Sequence, residues 1–234
     1  MEYAIFALIL LSFVAAFCAV VPGQIRNVLV AGVLVAPLGP ASELWFLADY
    51  WKRPTLLGTR ISIEDVLFGF AIGALSICLP YIILRMGLDL RFEKLRAKRV
   101  LGACITILVC MLLGTTVGRI NSIITCTLAF WLITAYAIFR LKVPYWLCAV
   151  GACVSAAYLF LAYFILERIF PGVVSAWCLS CNPSGIKIGF LNLEEFIWDF
   201  SWGAVASTIP MILFRGAVHG KSTARPVAAR LQGD

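Results

Sequence analysis

The chain has 234 residues, of which 62% are hydrophobic and 13% charged, with a net charge of +7 and a mean hydropathy of +0.99. A water-soluble domain needs about a quarter of its residues charged to cover its surface, so a soluble globular enzyme is excluded. Apolar runs without the alternating period of barrel strands exclude a membrane β-barrel as well, which leaves an all-α polytopic membrane bundle.

A bilayer span takes roughly 20 apolar residues. Seven segments qualify: 3–22, 27–47, 61–86, 100–118, 121–139, 144–170 and 193–214. The first follows Met1 and Glu2 with no basic residue before it, so it reads as a permanent helix and not as a cleaved signal. The second is interrupted by Pro37, Gly39 and Pro40 and carries Glu43, so it is the weakest span.

With seven spans, thirteen of the nineteen Lys and Arg residues fall on one side, six of them in the run Arg85, Arg91, Lys94, Arg96, Lys98 and Arg99. The positive-inside rule then predicts a cell-membrane protein with a cytoplasmic C-terminus and an outer N-terminus. Basic loops of this kind bind anionic lipid headgroups, and no groove-sized domain suggests nucleic acid. The end of the chain, 215–234, reads as a flexible basic tail.

Seven of the nine cysteines are scattered through apolar spans, where Cys serves as a small hydrophobe. Only Cys178 and Cys181 are close, and they are either bridged or free thiols. The sole histidine, His219, lies at the opposite face, so no four-ligand metal site is expected.

The chain also contains an internal repeat. Glu64–Asp65 opens the third span and Glu194–Glu195 the seventh, and a constant offset of 130 residues aligns the two without a gap. Phe68 falls on Trp198, Phe70 on Phe200, Gly73 on Gly203, Pro80 on Pro210 and Arg85 on Arg215. Four spans separate the two helices, so they run the same way, and the repeats are parallel. The chain divides into 1–99, a first three-helix repeat with its basic loop; 100–214, an extra helix plus the second repeat; and the tail.

Two readings of the acids stand side by side. Ser62-x-x-Asp65 and Asn192-x-x-Glu195 have capping-box spacing, so Asp65 and Glu195 are candidates for holding helix ends. Glu64 and Glu194 are not needed for that box, and a carboxylate at the edge of hydrocarbon ordinarily marks a functional path. Glu64 shares a helix face with Phe68, and Glu194 with Trp198 and Trp202. An acid backed by aromatic faces that attract a cation suits carbocation chemistry on an apolar substrate. The same aromatics also suit membrane-interface anchoring.

The segments Trp51-Lys-Arg-Pro54, Gly58 and Ile61-Ser-Ile-Glu64-Asp65-Val-Leu-Phe68, with Asn182-Pro-Ser-Gly185 through Gly189 to Glu194-Glu195-Phe196, resemble the duplicated motif of the integral-membrane lycopene cyclases. The tandem arrangement is similar to the fused form of that family. The family has Pro two residues before the first acid, where this chain has Ser62 and Asn192; all three residue types start helices.

The resemblance implies a redox-neutral isomerisation of a linear carotenoid end group in the bilayer, with no cofactor. Glu64 and Glu194 would be the acid and base, supported by Asp65 and Glu195. Phe68, Trp198 and Trp202, with Trp51 and Phe196, would line the site. Partners would be the lycopene-like substrate, membrane lipid and other enzymes of the same biosynthesis. A related hydratase and a proton-coupled transporter are the alternatives. A retinal protein needs a lysine in its last helix, and 193–214 has none.

Overall fold

The computed structural model describes residues 1–178 and 183–219. The chain is an all-α bundle whose long helices are α1 (Glu2–Val20), α2 (Ile25–Val35), α3 (Leu38–Asp49), α4 (Ile63–Ile83), α5 (Ala97–Leu112), α6 (Ser122–Leu141), α7 (Tyr145–Ile169) and α9 (Leu193–Leu213). The short α8 (Val173–Trp177) lies between α7 and α9. Among the described residues six helices are long and apolar enough to cross a membrane, and α2 with α3 makes a pair bent by 40°, a broken span or a re-entrant loop, which as one span brings the count to seven. The break falls at Ala36–Pro37, because a proline ring has no N–H to donate and crowds the carbonyl four residues back. One span thus becomes two helices at the interrupted segment.

The loops collect at two ends of the bundle. At one end Lys52 N donates to the carbonyl of Trp177 at 2.7 Å, and Trp51 bridges to Cys178. There the Asp49 carboxylate also caps α6, accepting from Ser122 N at 2.9 Å. At the other end β1 (Gly87–Leu88) pairs antiparallel with β4 (Val218–His219), and Arg96 N donates to the carbonyl of Leu213 at 2.7 Å. A second short pair, β2 (Lys187–Ile188) with β3 (Leu191–Asn192), leads into α9.

The β1–β4 end is held by charge. Asp89 accepts from Lys94 at 2.7 Å, from Arg91 at 3.1 Å and from Arg26. The Lys94 hydrogen bond, reinforced by Arg91, holds the Asp89 carboxyl down to about 2. Residues 215–219 therefore belong to the folded body and not to the expected tail, because Val218 and His219 find strand partners. The rest of that tail, 220–234, lies outside the described residues, as does Cys181. Cys178 is disulfide-bonded.

The internal repeat is visible in the helices themselves. α4 and α9 each have 21 residues, begin 130 apart and carry a proline at the same position before their ends. α4 packs on α1 and α2, α9 packs on α6 and α7, and α4 and α9 touch each other at the centre. The aligned glycines explain part of this. A Cβ on Gly73 would sit 2.4 Å from that of Val35, and one on Gly203 would sit 2.2 Å from the carbonyl oxygen of Gly151, so both helices use the same position for close approach. α5 stands apart, with Met111 its only buried residue.

Candidate functional site

A cavity with about 400 Å³ of free space lies between α2, α3, α4, α5, α6 and α9. Its wall follows α9 from Glu195 to Leu213, which at roughly 1.5 Å per residue is a length of about 27 Å. Leu38, Ile107, Ile133, Val205 and Ile209 are typical of the lining. Among the described residues Glu195 is the only charged one on it, at the end where the α3–α4 loop closes the bundle.

Aromatic rings surround this acid-bearing end. Trp198 and Trp202, one turn apart on α9, stack with ring centres 6.4 Å apart and planes 12° from parallel. Phe130 of α6 approaches Trp202 at 5.5 Å, and Phe46 of α3 meets Trp198 edge-on at 6.4 Å. Trp51 and Phe68 also line the wall. Phe196 is half-buried and lies outside the lining. Phe46 and Phe130 carry no sequence signal of their own, since nothing local places α3 and α6 opposite α9.

The four acids of the repeat have distinct surroundings. Asp65 takes part in the capping box with Ser62, whose N–H donates to it at 2.8 Å. It also accepts from the Tyr3 hydroxyl at 3.0 Å and pairs with the buried guanidinium of Arg53. Arg53 pairs in addition with Glu43 at 2.6 Å and lies over the rings of Tyr3 and Trp51, at 4.0 and 4.9 Å. This acid is therefore neutralised by a cation.

Glu195 is the aligned residue, yet its carboxylate is not engaged in a box. The Tyr50 hydroxyl donates to Oε2 and the Tyr163 hydroxyl to Oε1 at 2.7 Å. Among the described residues no ion pair involves Glu195. One turn further along α9 is Asp199, fully buried, with neither carboxyl oxygen hydrogen-bonded among the described residues. Asp199 aligns with Gly69 of α4, so the repeat does not point to it.

Glu64 and Glu194 mirror one another. Glu64 Oε1 accepts from Leu56 N at 2.6 Å, and Glu194 Oε1 from Ser184 N at 2.7 Å. Each ties the loop before its helix to the first helical turn. Neither is on the cavity wall, and in both the second carboxyl oxygen is buried without a partner among the described residues. The acid that reaches the cavity is Glu195, a supporting residue in the expectation from sequence, and not Glu64 or Glu194.

Among the described residues no cluster of His, Cys, Asp and Glu has the arrangement of a metal site. The arrangement instead offers one hydrogen-bonded carboxylate at the end of a long, apolar channel whose acid-bearing end is walled by aromatic rings. Such a group lends or accepts a proton where water is scarce and where ring faces stabilise a passing positive charge. No protein-family model, curated protein or solved structure matches the chain.

Proposed function

We propose that the protein cyclises an end group of a linear, lycopene-like carotenoid inside the cell membrane, without net redox change and without a cofactor. The observation that carries this reading is the cavity wall, apolar along about 27 Å with a single carboxylate, Glu195, at one end. An extended polyene placed along α9 would present one end group to that acid. The rest of the polyene chain, longer than this wall, would run on past Leu213.

In the reaction Glu195 delivers a proton to the terminal double bond, leaving a tertiary cation beside it. The next suitably placed double bond attacks the cation and closes a six-membered ring. A proton lost from the carbon next to the new cation returns to Glu195, so substrate and product have the same atoms. Trp198, Trp202, Phe46 and Phe130 surround the cationic stage, and cation–π attraction in a desolvated site is worth about 2 kcal/mol per well-placed ring. The apolar wall favours ring closure over hydration, because trapping the cation as an alcohol needs a water beside it.

A second reading, a proton-coupled transporter, draws support from the broken α2–α3 span, both halves of which line the cavity. Expression in a bacterial host that accumulates lycopene separates the readings. Cyclisation predicts a new pigment with the mass of lycopene and a shorter-wavelength absorption, hydration predicts a gain of one water, and transport leaves the pigment unaltered. Glu195→Gln is expected to lower cyclisation by about 10² to 10⁴ while leaving the protein folded. Full activity in Glu195→Gln together with inactivity in Glu64→Gln or Glu194→Gln would move the chemistry to the helix starts and overturn the assignment.

A further inference from the structure

Asp199 takes no part in the mechanism above, yet it is a fully buried carboxyl with no hydrogen-bond partner among the described residues. It lies on α9 one turn from Glu195, and residues four apart share a helix face with Cβ atoms about 5–6 Å apart. The groups facing the pair bear no positive charge. Tyr50 approaches from the α3–α4 loop, Tyr163 and Tyr158 from α7, and Glu194 lies on α9 itself. Among the described residues neither carboxyl forms an ion pair.

Two carboxylates this close, out of water and without a cation, are not both ionised. The hydrogen bonds decide which one keeps a proton. Both oxygens of Glu195 accept from tyrosine hydroxyls, which favours its charged form, whereas Asp199 has nothing to stabilise a charge. From this geometry we infer that Asp199 is the resting proton store of the site, a neutral carboxylic acid that supplies Glu195. This inference rests on the cyclase reading for its purpose, though not for its test.

In the cycle the Asp199 side chain, which is not hydrogen-bonded to Glu195 at rest, turns to bring its O–H to the Glu195 carboxylate and gives it the proton, leaving Asp199 ionised, and Glu195 passes that proton to the substrate double bond. The proton lost after ring closure returns through Glu195 to Asp199. One proton is on the pair before and after, and no co-reactant is consumed. Asp199 does not line the cavity, so it acts through Glu195 as a positioning and proton-holding residue.

The test is infrared spectroscopy of the purified full-length protein in lipid at neutral pH, comparing the unsubstituted chain with Asp199→Asn and Glu195→Gln. Asn has the shape of a neutral Asp, so the fold is expected to survive, checked by an unchanged circular dichroism spectrum. A deuterium-sensitive carboxylic-acid band present in the unsubstituted protein, lost in Asp199→Asn and kept in Glu195→Gln is the expected result. Absence of such a band from the unsubstituted protein, its persistence in Asp199→Asn, or its loss in Glu195→Gln overturns the inference. Should Asp199→Asn fail to fold, Asp199→Glu, which keeps an ionisable acid, is expected to keep a shifted band, and an unshifted one counts against the assignment. Because no substrate is present, the result stands or falls separately from pigment conversion. In the lycopene-accumulating host, Asp199→Asn is expected to convert pigment about a hundredfold more slowly.

Discussion

Aligned side chains in the two halves have opposite charge environments. Asp65 is held by Arg53, Tyr3 and its own capping box, whereas Glu195 has two tyrosine hydroxyls and no cation. Arg53 sits beneath Tyr3 and Trp51 and is buried with Glu43 as well as Asp65, so its charge is needed to offset two acids. Removing one partner from a buried ion pair costs about 3–5 kcal/mol, because the remaining charge is left uncompensated. Arg53→Met should therefore lower the thermal midpoint of the protein in detergent far more than Glu195→Gln does. Equal midpoints for the two variants would mean that the Arg53 cluster contributes little to the fold. Asp65 is thus structural in its surroundings, whereas Glu195 has no cation beside it among the described residues.

Among the helices, small residues set the central packing. Gly203 meets Gly151 so closely that an added Cβ would lie 2.2 Å from the Gly151 carbonyl oxygen and 2.4 Å from the Cβ of Ser155. Gly203→Ala should force α7 and α9 apart, at about 1–3 kcal/mol, and tilt the Glu195 end of the cavity. Gly102→Ala on α5, where nothing lies within 4 Å, should be neutral or slightly stabilising. Chemical unfolding of the two variants compares them directly, and similar losses for both would contradict close packing as the reason for Gly203. The 130-residue offset made this helix pair legible in advance, since Gly73, Pro80, Gly203 and Pro210 all fall in register. The weakness of the second span is legible too, from Pro37, Gly39 and Pro40 with Glu43. The partners of the acids were not, because Tyr50 reaches Glu195 across 145 residues and Tyr163 reaches it from another helix. Helical periodicity fixes which face a residue occupies but not which neighbour meets that face, so only tertiary packing decides between capping and the tyrosine partners that Glu195 has.

At the scale of the whole molecule, charge and fold divide the chain the same way. The end containing β1 and β4 carries Arg85, Arg91, Lys94, Arg96, Lys98 and Arg99, while the end containing Trp51, Trp177 and the mouth near Glu195 is poorer in basic residues. The positive-inside rule then predicts the β1–β4 end on the cytoplasmic side and the Glu195 end toward the outer leaflet. Arg60 and Lys98 are exposed at opposite ends, before α4 and within the first turn of α5, so they report the two sides. Intact cells carrying Arg60→Cys should react with a membrane-impermeant maleimide, and cells carrying Lys98→Cys should react only after permeabilisation, each measured against the unsubstituted chain. The opposite pattern would turn the molecule over in the membrane. Labelling of both sites from one side would contradict α4 as a complete crossing, and with it the channel along α9. The expected pattern would put the carboxylate near the outer leaflet, so that a polyene entering from lipid would reach Glu195 with its outer end and be processed one end group at a time.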